Sequence, residues 1–263
     1  MIDIKNLNFK YENNVIFENF NLKIKKNKIT SIIGPNGSGK STLVKIILGL
    51  LDYSGSIKID NELLLKGNIN DIRKNIGVVM ENIDNQFITE TVMDEIAFTL
   101  ENLNYSKKNI KNNVEKVTKL LNISDILKQD PHSLNDNQKQ LVMLATALIH
   151  EPKILIIDNL NYLDPVVKDN ILEILKDLKK QGMTIIFITQ DIEDTLISDE
   201  IVVINKELVL QENKDKVYKE EKLLNSLGFK LPFMVELSNR LMFYDLIDHV
   251  IYDMKEMVDV LWK

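Results

Sequence analysis

The stretch Gly34-Pro35-Asn36-Gly37-Ser38-Gly39-Lys40-Ser41-Thr42 constrains this chain more than any other. It follows an apolar run, Ile29 to Ile33, and precedes Leu43-Val44-Lys45-Ile46-Ile47-Leu48. The order is strand, glycine-rich turn, helix, the context in which G-x-x-x-x-G-K-[ST] carries meaning. Glycines at 34, 37 and 39 let the backbone wrap closely around phosphates, with Asn36, Ser38 and Thr42 completing the cradle. Successive N–H groups and the start of the helix then point at the anion. Lys40 is expected to reach the β- and γ-phosphates of ATP, and Ser41 to set its hydroxyl on Mg²⁺.

The 263 residues can bury one sizeable core and add a smaller lobe or tail. A net charge of −6 argues against a general nucleic-acid binder. Cysteine is absent, which excludes disulfides and thiol chemistry. No apolar run approaches the roughly 20 residues that span a bilayer, so a soluble, cytoplasmic chain is expected, tied to a membrane only through a partner. His132 and His150 lack companions at ligand spacing, which leaves no metal site among the histidines.

Short alternating runs before the glycine-rich turn, Ile2 to Leu7, Phe17, and Phe20 to Ile24, read as strands. Tyr11 stands before the turn Glu12-Asn13-Asn14, where an aromatic stacks on adenine or simply closes the edge of a sheet. Leu51 to Asp60 reads as turn then strand, Asp71 to Lys74 as a short polar segment, and Ile76 to Met80 as a strand ending in the polar loop Glu81 to Gln86. Helical spacing covers Thr91 to about Asp130, with Val92, Ile96, Ala97 and Leu100 on one face and Val114, Val117, Leu120 and Leu121 on another. Thr91 or Asp94 caps the first of these helices and Ser124 a further short one. A polar stretch, Pro131 to Gln140, leads into a long helix expected over Leu141 to His150.

Lys153 to Asp158 is apolar until its last residue and so reads as a central parallel strand. An acid at that end, neighbouring the phosphate loop, is the expected second element of a magnesium site. Leu163-Asp164-Pro165 opens a helix running to Lys180, and Gly182 to Gln190 is a buried strand with a polar tip. A hairpin follows, Ile201 to Ile204 and Leu208 to Leu210, through Asn205-Lys206-Glu207. The tail from Lys216 has helical spacing and more apolar residues than a loose tail needs, so it packs on the core or forms a dimer contact.

This succession resembles the ATP-binding subunits of ABC transporters, and more narrowly the energy-coupling factor type that serves vitamin and transition-metal (cobalt) uptake. The narrower resemblance rests on Asn82-Ile83-Asp84-Asn85-Gln86-Phe87 and on Leu227-Gly228-Phe229-Lys230-Leu231-Pro232. It implies an α/β P-loop NTPase of the ABC type: a mostly parallel core sheet, an N-terminal antiparallel subdomain and a helical insert. The ATP-binding domain would span 1–215, with the insert at about 91–150 and a C-terminal helical dimerisation region at 216–263. Tyr11 would then stack on adenine, Asp158 with Ser41 would serve the metal, and Asp164 would lie in a loop crossing a dimer. The helical insert and the loop from Glu81 to Gln86 would face an integral membrane coupling protein, with a separate membrane subunit binding the solute. Two ATP-binding subunits would close head to tail on the cytoplasmic face of the membrane, with no nucleic acid involved.

Four positions depart from the family. Its Leu-Ser-Gly-Gly-Gln signature, which meets the partner's γ-phosphate, is Leu134-Asn135-Asp136-Asn137-Gln138 here. The glutamate that polarises water is Asn159, the switch histidine is Gln190, and the metal- and water-reaching glutamine is Glu81. An added carboxylate repels a phosphate, and loss of a general base costs about 10²–10⁴-fold in rate. The pattern implies a subunit that binds ATP and hydrolyses it poorly, suited to a heterodimer with an intact partner. Two other readings stand beside it: an inactive paralogue kept for pairing, and a soluble ABC ATPase without a transporter. Nucleotide binding tests the first; recovery with nucleic acid or ribosomes, against a membrane protein, tests the second.

Overall fold

The computed structural model describes residues 1–81, 83, 86–160 and 163–262. Asn82, Asp84 and Asn85 of the polar loop therefore lie outside the described residues. At the N-terminus, β1 (Ile2–Tyr11) pairs antiparallel with β2 (Asn14–Ile24), placing Phe9 opposite Phe17 and Tyr11 opposite Asn14. β2 is one continuous strand where the sequence pattern suggests separate pieces, because register shifts between Ile4 and Lys10 of β1 interrupt the period of two. Next come β3 (Ile29–Ile33), α1 (Lys40–Ile47), β4 (Ser54–Ile59), β5 (Glu62–Leu63), α2 (Ile69–Arg73) and β6 (Ile76–Val79). α2 replaces the polar segment expected around Asp71, since Ile72 is buried and Arg73 Nε donates to Leu48 O at 2.9 Å. The antiparallel sheet runs β2-β1-β4-β5.

The insert holds α3 (Val92–Asn102), α4 (Lys107–Leu120) and α5 (Asp136–Leu148). Thr91 caps α3, accepting from Asp94 N at 3.1 Å, as expected. Two expectations fail here. Ser124 caps no helix and donates to Thr118 Oγ1 at 3.3 Å instead; Leu120 is 46% exposed while Val114, Val117 and Leu121 carry the buried face. Consecutive residues on a helix point about 100° apart, so Leu120 and Leu121 cannot share one narrow stripe. α5 also starts five residues earlier than the apolar pattern suggests, at Asp136, because its polar first turn is capped by Asn135.

Then come β7 (Ile154–Asp158), α6 (Pro165–Lys180), β8 (Thr184–Ile188), β9 (Glu200–Ile204) and β10 (Leu208–Asn213). The second sheet runs β10-β9-β3-β8-β7-β6, parallel throughout except for the edge strand β10. β8 thus separates β7 from β3, and Asp158 meets the phosphate loop through α1 rather than through strand pairing. Side chains alternate across this sheet. Leu155 and Ile157 join Ile185 and Phe187 beneath the insert and α6, whereas Ile154 and Ile156 join Ile186, α1 and the antiparallel sheet. Each fully buried side chain of this size contributes roughly 1.5–3 kcal/mol, so both faces hold the strand ends in place.

The described part of the chain closes with the helices α7 (Lys214–Val217), α8 (Glu221–Ser226), α9 (Phe233–Phe243) and α10 (Met254–Leu261). Val217, Tyr218, Leu224, Phe229, Leu231 and Val235 pack on Ile33, Ile201 and Val203. The beginning of the tail is therefore core-packed, while Phe243, Tyr244 and Trp262 stay 70–83% exposed. Among the described residues no helix is long and apolar enough to cross a membrane.

Candidate functional site

The glycines of the loop answer two needs, a left-handed backbone and close approach to neighbouring atoms. Gly37 and Gly39 have φ of 78° and 104°, a left-handed backbone that glycine adopts without strain. A Cβ at Gly34 would stand 2.1 Å from Ile204 O, and one at Gly39 would stand 2.7 Å from Phe17 Cζ. Phe17 of β2 therefore sits directly under the turn, a link invisible in the sequence. Asn36 is exposed at the tip, Ser38 is buried, and Ser41 and Thr42 are half-buried in the first turn of α1. Lys40 folds back over the loop, its Nζ donating to Gly34 O at 2.7 Å and Pro35 O at 3.0 Å. In this arrangement the ammonium is spent on the loop's own backbone carbonyls. Burial pushes its pKa down, and Asp158 and Glu81 oppose that shift.

Asp158 closes the other side. It is 2% exposed, accepts a hydrogen bond from Ser41, and has Oδ2 buried without a partner. Burial raises its pKa first; Ser41 and Lys40 pull it down, while Glu81 adds to the rise. An orphaned buried carboxylate oxygen beside a hydroxyl is a donor set that suits a hard, oxygen-loving cation such as Mg²⁺. Asn159 follows in a left-handed backbone, φ 79°, 7% exposed, with Oδ1 also buried and unpartnered. Its own N–H is used by Ile188 O at 2.9 Å. Glu81, exposed, acts on both Lys40 and Asp158, so it lies within reach of this centre.

Tyr11 is 41% exposed and meets Phe9 edge-on, ring centroids 4.8 Å apart. Lys206 ties this region to the loop: its N–H donates to Ser38 O at 3.0 Å and its Nζ reaches Asn14 Oδ1 at 3.5 Å, opposite Tyr11. Sequence reading misses Lys206, which stands in a hairpin turn with nothing local to single it out. Gln190 is exposed, just past β8, where Thr189 is anchored. Thr189 Oγ1 donates to buried Asp194 at 2.7 Å, and Lys168 pairs with Asp194 at 2.6 Å and Asp191 at 2.9 Å. That network is missed as well, because Lys168 of α6 is some twenty residues from the segment 189–194 that it meets.

The signature positions lie at the start of α5. Asn135 and Gln138 form a reciprocal capping box: Gln138 N donates to Asn135 Oδ1 at 2.9 Å, and Asn135 N to Gln138 Oε1 at 3.2 Å. Two of the helix's first donors are thus already used within the chain. Asp136 adds a carboxylate in the first turn, and Asn137 is engaged with Asp164, the residue before α6. The Asp136 carboxylate disfavours an anion at this helix end, whereas the phosphate loop carries no acid. His132 faces Phe87 edge-on at 5.8 Å, and burial lowers the pKa of His150.

A glycine-rich loop between β3 and α1, an acidic end on β7, and a capped helix rising from an insert together define an ABC-type ATP-binding domain. The ABC transporter family profile matches residues 17–160. The energy-coupling factor transporter ATP-binding protein EcfA1 of Leuconostoc mesenteroides is 37% identical over 243 residues, covering 90% of this chain and 89% of that protein. EcfA1 of Streptococcus pneumoniae is 36% identical over 271 residues, covering 100% and 98%. Among solved structures, cbiO1 from Clostridium perfringens, part of the ABC transporter complex cbiONQ, superposes with TM-score 0.76 at 29% identity, covering 86% of this chain and 94% of that one. The dimeric bacterial ABC transporter cassette MJ0796 does so with TM-score 0.74 at 28% identity, covering 81% and 98%. The chain belongs to the ABC transporter family, as an ATP-binding subunit of the energy-coupling factor type.

Proposed function

We propose that this subunit binds MgATP, hydrolyses it slowly by itself, and works as the degenerate half of a heterodimer that drives a metal-ion or vitamin importer. The observation that carries the reading is the contrast between its two phosphate-facing ends. The loop from Gly34 to Thr42 keeps every glycine its backbone needs, whereas α5 spends its cap donors on Asn135 and Gln138 and adds the Asp136 carboxylate. Tyr11 stacks on adenine, and Lys40 leaves the carbonyls of Gly34 and Pro35 for the β- and γ-phosphates. Ser41 and Asp158 would hold Mg²⁺, which when bound draws charge off the phosphate oxygens. Asn159 can orient water through its amide, but an amide is a poor base, and Glu81 and Gln190 replace a neutral amide and an imidazole.

The membrane connection comes through partners. The relative cbiO1 is part of a cbiONQ complex, which supports a coupling protein and a solute-binding membrane subunit for this chain too. The exposed Ile88, Met93 and Phe98 near the insert are apolar enough to meet such a coupling protein at the cytoplasmic face of the membrane. Residues 1–215 form the ATP-binding domain and 216–263 a dimerisation region, for which the exposed Phe243, Tyr244 and Trp262 supply an apolar contact. The test is MgATP binding and phosphate release by the purified chain, alone and mixed with an ATP-binding subunit that carries the complete signature. Tight binding with little release alone, and turnover in the mixture, is the expected result. Robust turnover alone overturns the reading of Asn159 and Gln190 as losses, and absence of binding overturns the whole.

A further inference from the structure

Asp164 immediately precedes α6, where an aspartate ordinarily accepts a hydrogen bond from the helix's first free N–H groups. Here it makes no such cap. Its carboxylate accepts from Asn137 Nδ2 instead, and its N–H donates to Asn137 Oδ1 at 3.0 Å. One amide thus satisfies both a side chain and a backbone group 27 residues away. A glycine at 137 could make neither bond, so the arrangement belongs to this chain's departure from the signature.

The two ends of this clasp have different connections. Asn137 sits in the first turn of α5, next to the capping box of Asn135 and Gln138. Asp164 ends the connection that starts at Asp158 and Asn159, the metal-site end of β7. We propose that Asn137 and Asp164 form a preset clasp that joins the partner-facing end of α5 to the loop leaving the chain's own metal site, fixing the surface on which a second ATP-binding subunit docks. The inference rests on the heterodimer reading above. Asn137 is a positioning residue that acts through Asp164: it replaces a contact to the partner's phosphate with a strut inside its own chain.

The test separates the clasp from the dimer. Hydrogen exchange on the full chain is read at the Asp164 amide and across 135–139, for the unsubstituted protein, Asn137→Ala, Asn137→Asp and the double variant Asn137→Asp/Asp164→Asn. Alanine should raise Asp164 exchange about two- to tenfold, the worth of the one neutral hydrogen bond that its N–H makes. Asn137→Asp should also raise it, because repulsion between the two carboxylates pushes the segments apart although an acceptor for the N–H remains. The double variant should return it to the starting value, because the amide introduced at position 164 and the backbone N–H there both donate to the carboxylate introduced at position 137. Affinity for an ATP-binding subunit with a complete signature, measured by light scattering with a non-hydrolysable MgATP analogue, should fall and recover in the same order. Unchanged exchange in Asn137→Ala, or failure of the double variant to restore it, overturns the clasp. Exchange that rises while pairing affinity stays constant overturns its role in setting the face. If the unsubstituted chain pairs with no ATP-binding subunit, the heterodimer reading fails, and this use of the face with it.

Discussion

Replacing Asp158 by Asn should stabilise the nucleotide-free protein while weakening its hold on MgATP. The residue is 2% exposed, receives one hydrogen bond from Ser41, and leaves Oδ2 without a partner. A buried polar group left unsatisfied costs about 1–3 kcal/mol, and a charged one stands toward the upper end. Asparagine keeps an oxygen for Ser41 and removes the charge, but its NH₂ must still be accommodated, so the expected net gain is about 1–2 kcal/mol. The pH dependence follows from the raised folded-state pKa. The cost of ionising Asp158 is fully present above that pKa and vanishes below the ordinary carboxylate range, where folded and unfolded chains are both protonated. The advantage of the variant should therefore be greatest at neutral pH and shrink on acidification. With MgATP the order reverses, because ligand at a hundredfold excess over Kd adds about 2.7 kcal/mol to whichever protein binds it. Urea melts at several pH values, with and without MgATP, give every quantity. A variant less stable than its parent without nucleotide, or one whose ATP affinity keeps the same Mg²⁺ dependence, refutes the reasoning.

Gly39→Ala should cost about 1–2 kcal/mol of stability for the left-handed backbone alone. The clash with Phe17 adds to that and deforms the loop, which abolishes nucleotide binding; calorimetry and a melt check both. Lys168→Met should destabilise by about 3 kcal/mol, since it strands the buried Asp194 carboxylate, and the loss should diminish at low pH because burial already raises the Asp194 pKa. A loss that is flat with pH would show that packing, and not charge, is at issue. Asn135→Ala removes the capping box and should cost about 1 kcal/mol in a denaturant melt, leaving MgATP affinity of the isolated chain unchanged.

Wherever a feature lies in adjacent residues, the chain can be read directly. The strand before Gly34, the helix after Lys40 and the acidic end of β7 follow from apolar runs and glycine placement. Helix starts are harder: α5 begins inside a polar stretch because Asn135 and Gln138 cap it, and periodicity of apolar residues carries no trace of a polar first turn. Leu120 departs from expectation for a related reason, since a helix's buried stripe depends on what covers it as well as on spacing.

The sequence by itself determined that a phosphate-binding turn joins a buried strand to a helix, that an acid ends another buried strand, and that four positions of the family's catalytic apparatus carry other residues. These are matters of residue identity and short-range geometry, in which backbone sterics and side-chain chemistry act within one turn or one strand. Only the tertiary structure decided that Phe17 lies under Gly39, that Lys206 bridges Ser38 to Asn14, that Lys168 meets Asp194, and that Asn137 clasps Asp164. Each of those contacts joins elements brought together by burial of the two sheet faces, and burial is a non-directional force that names no partner in advance.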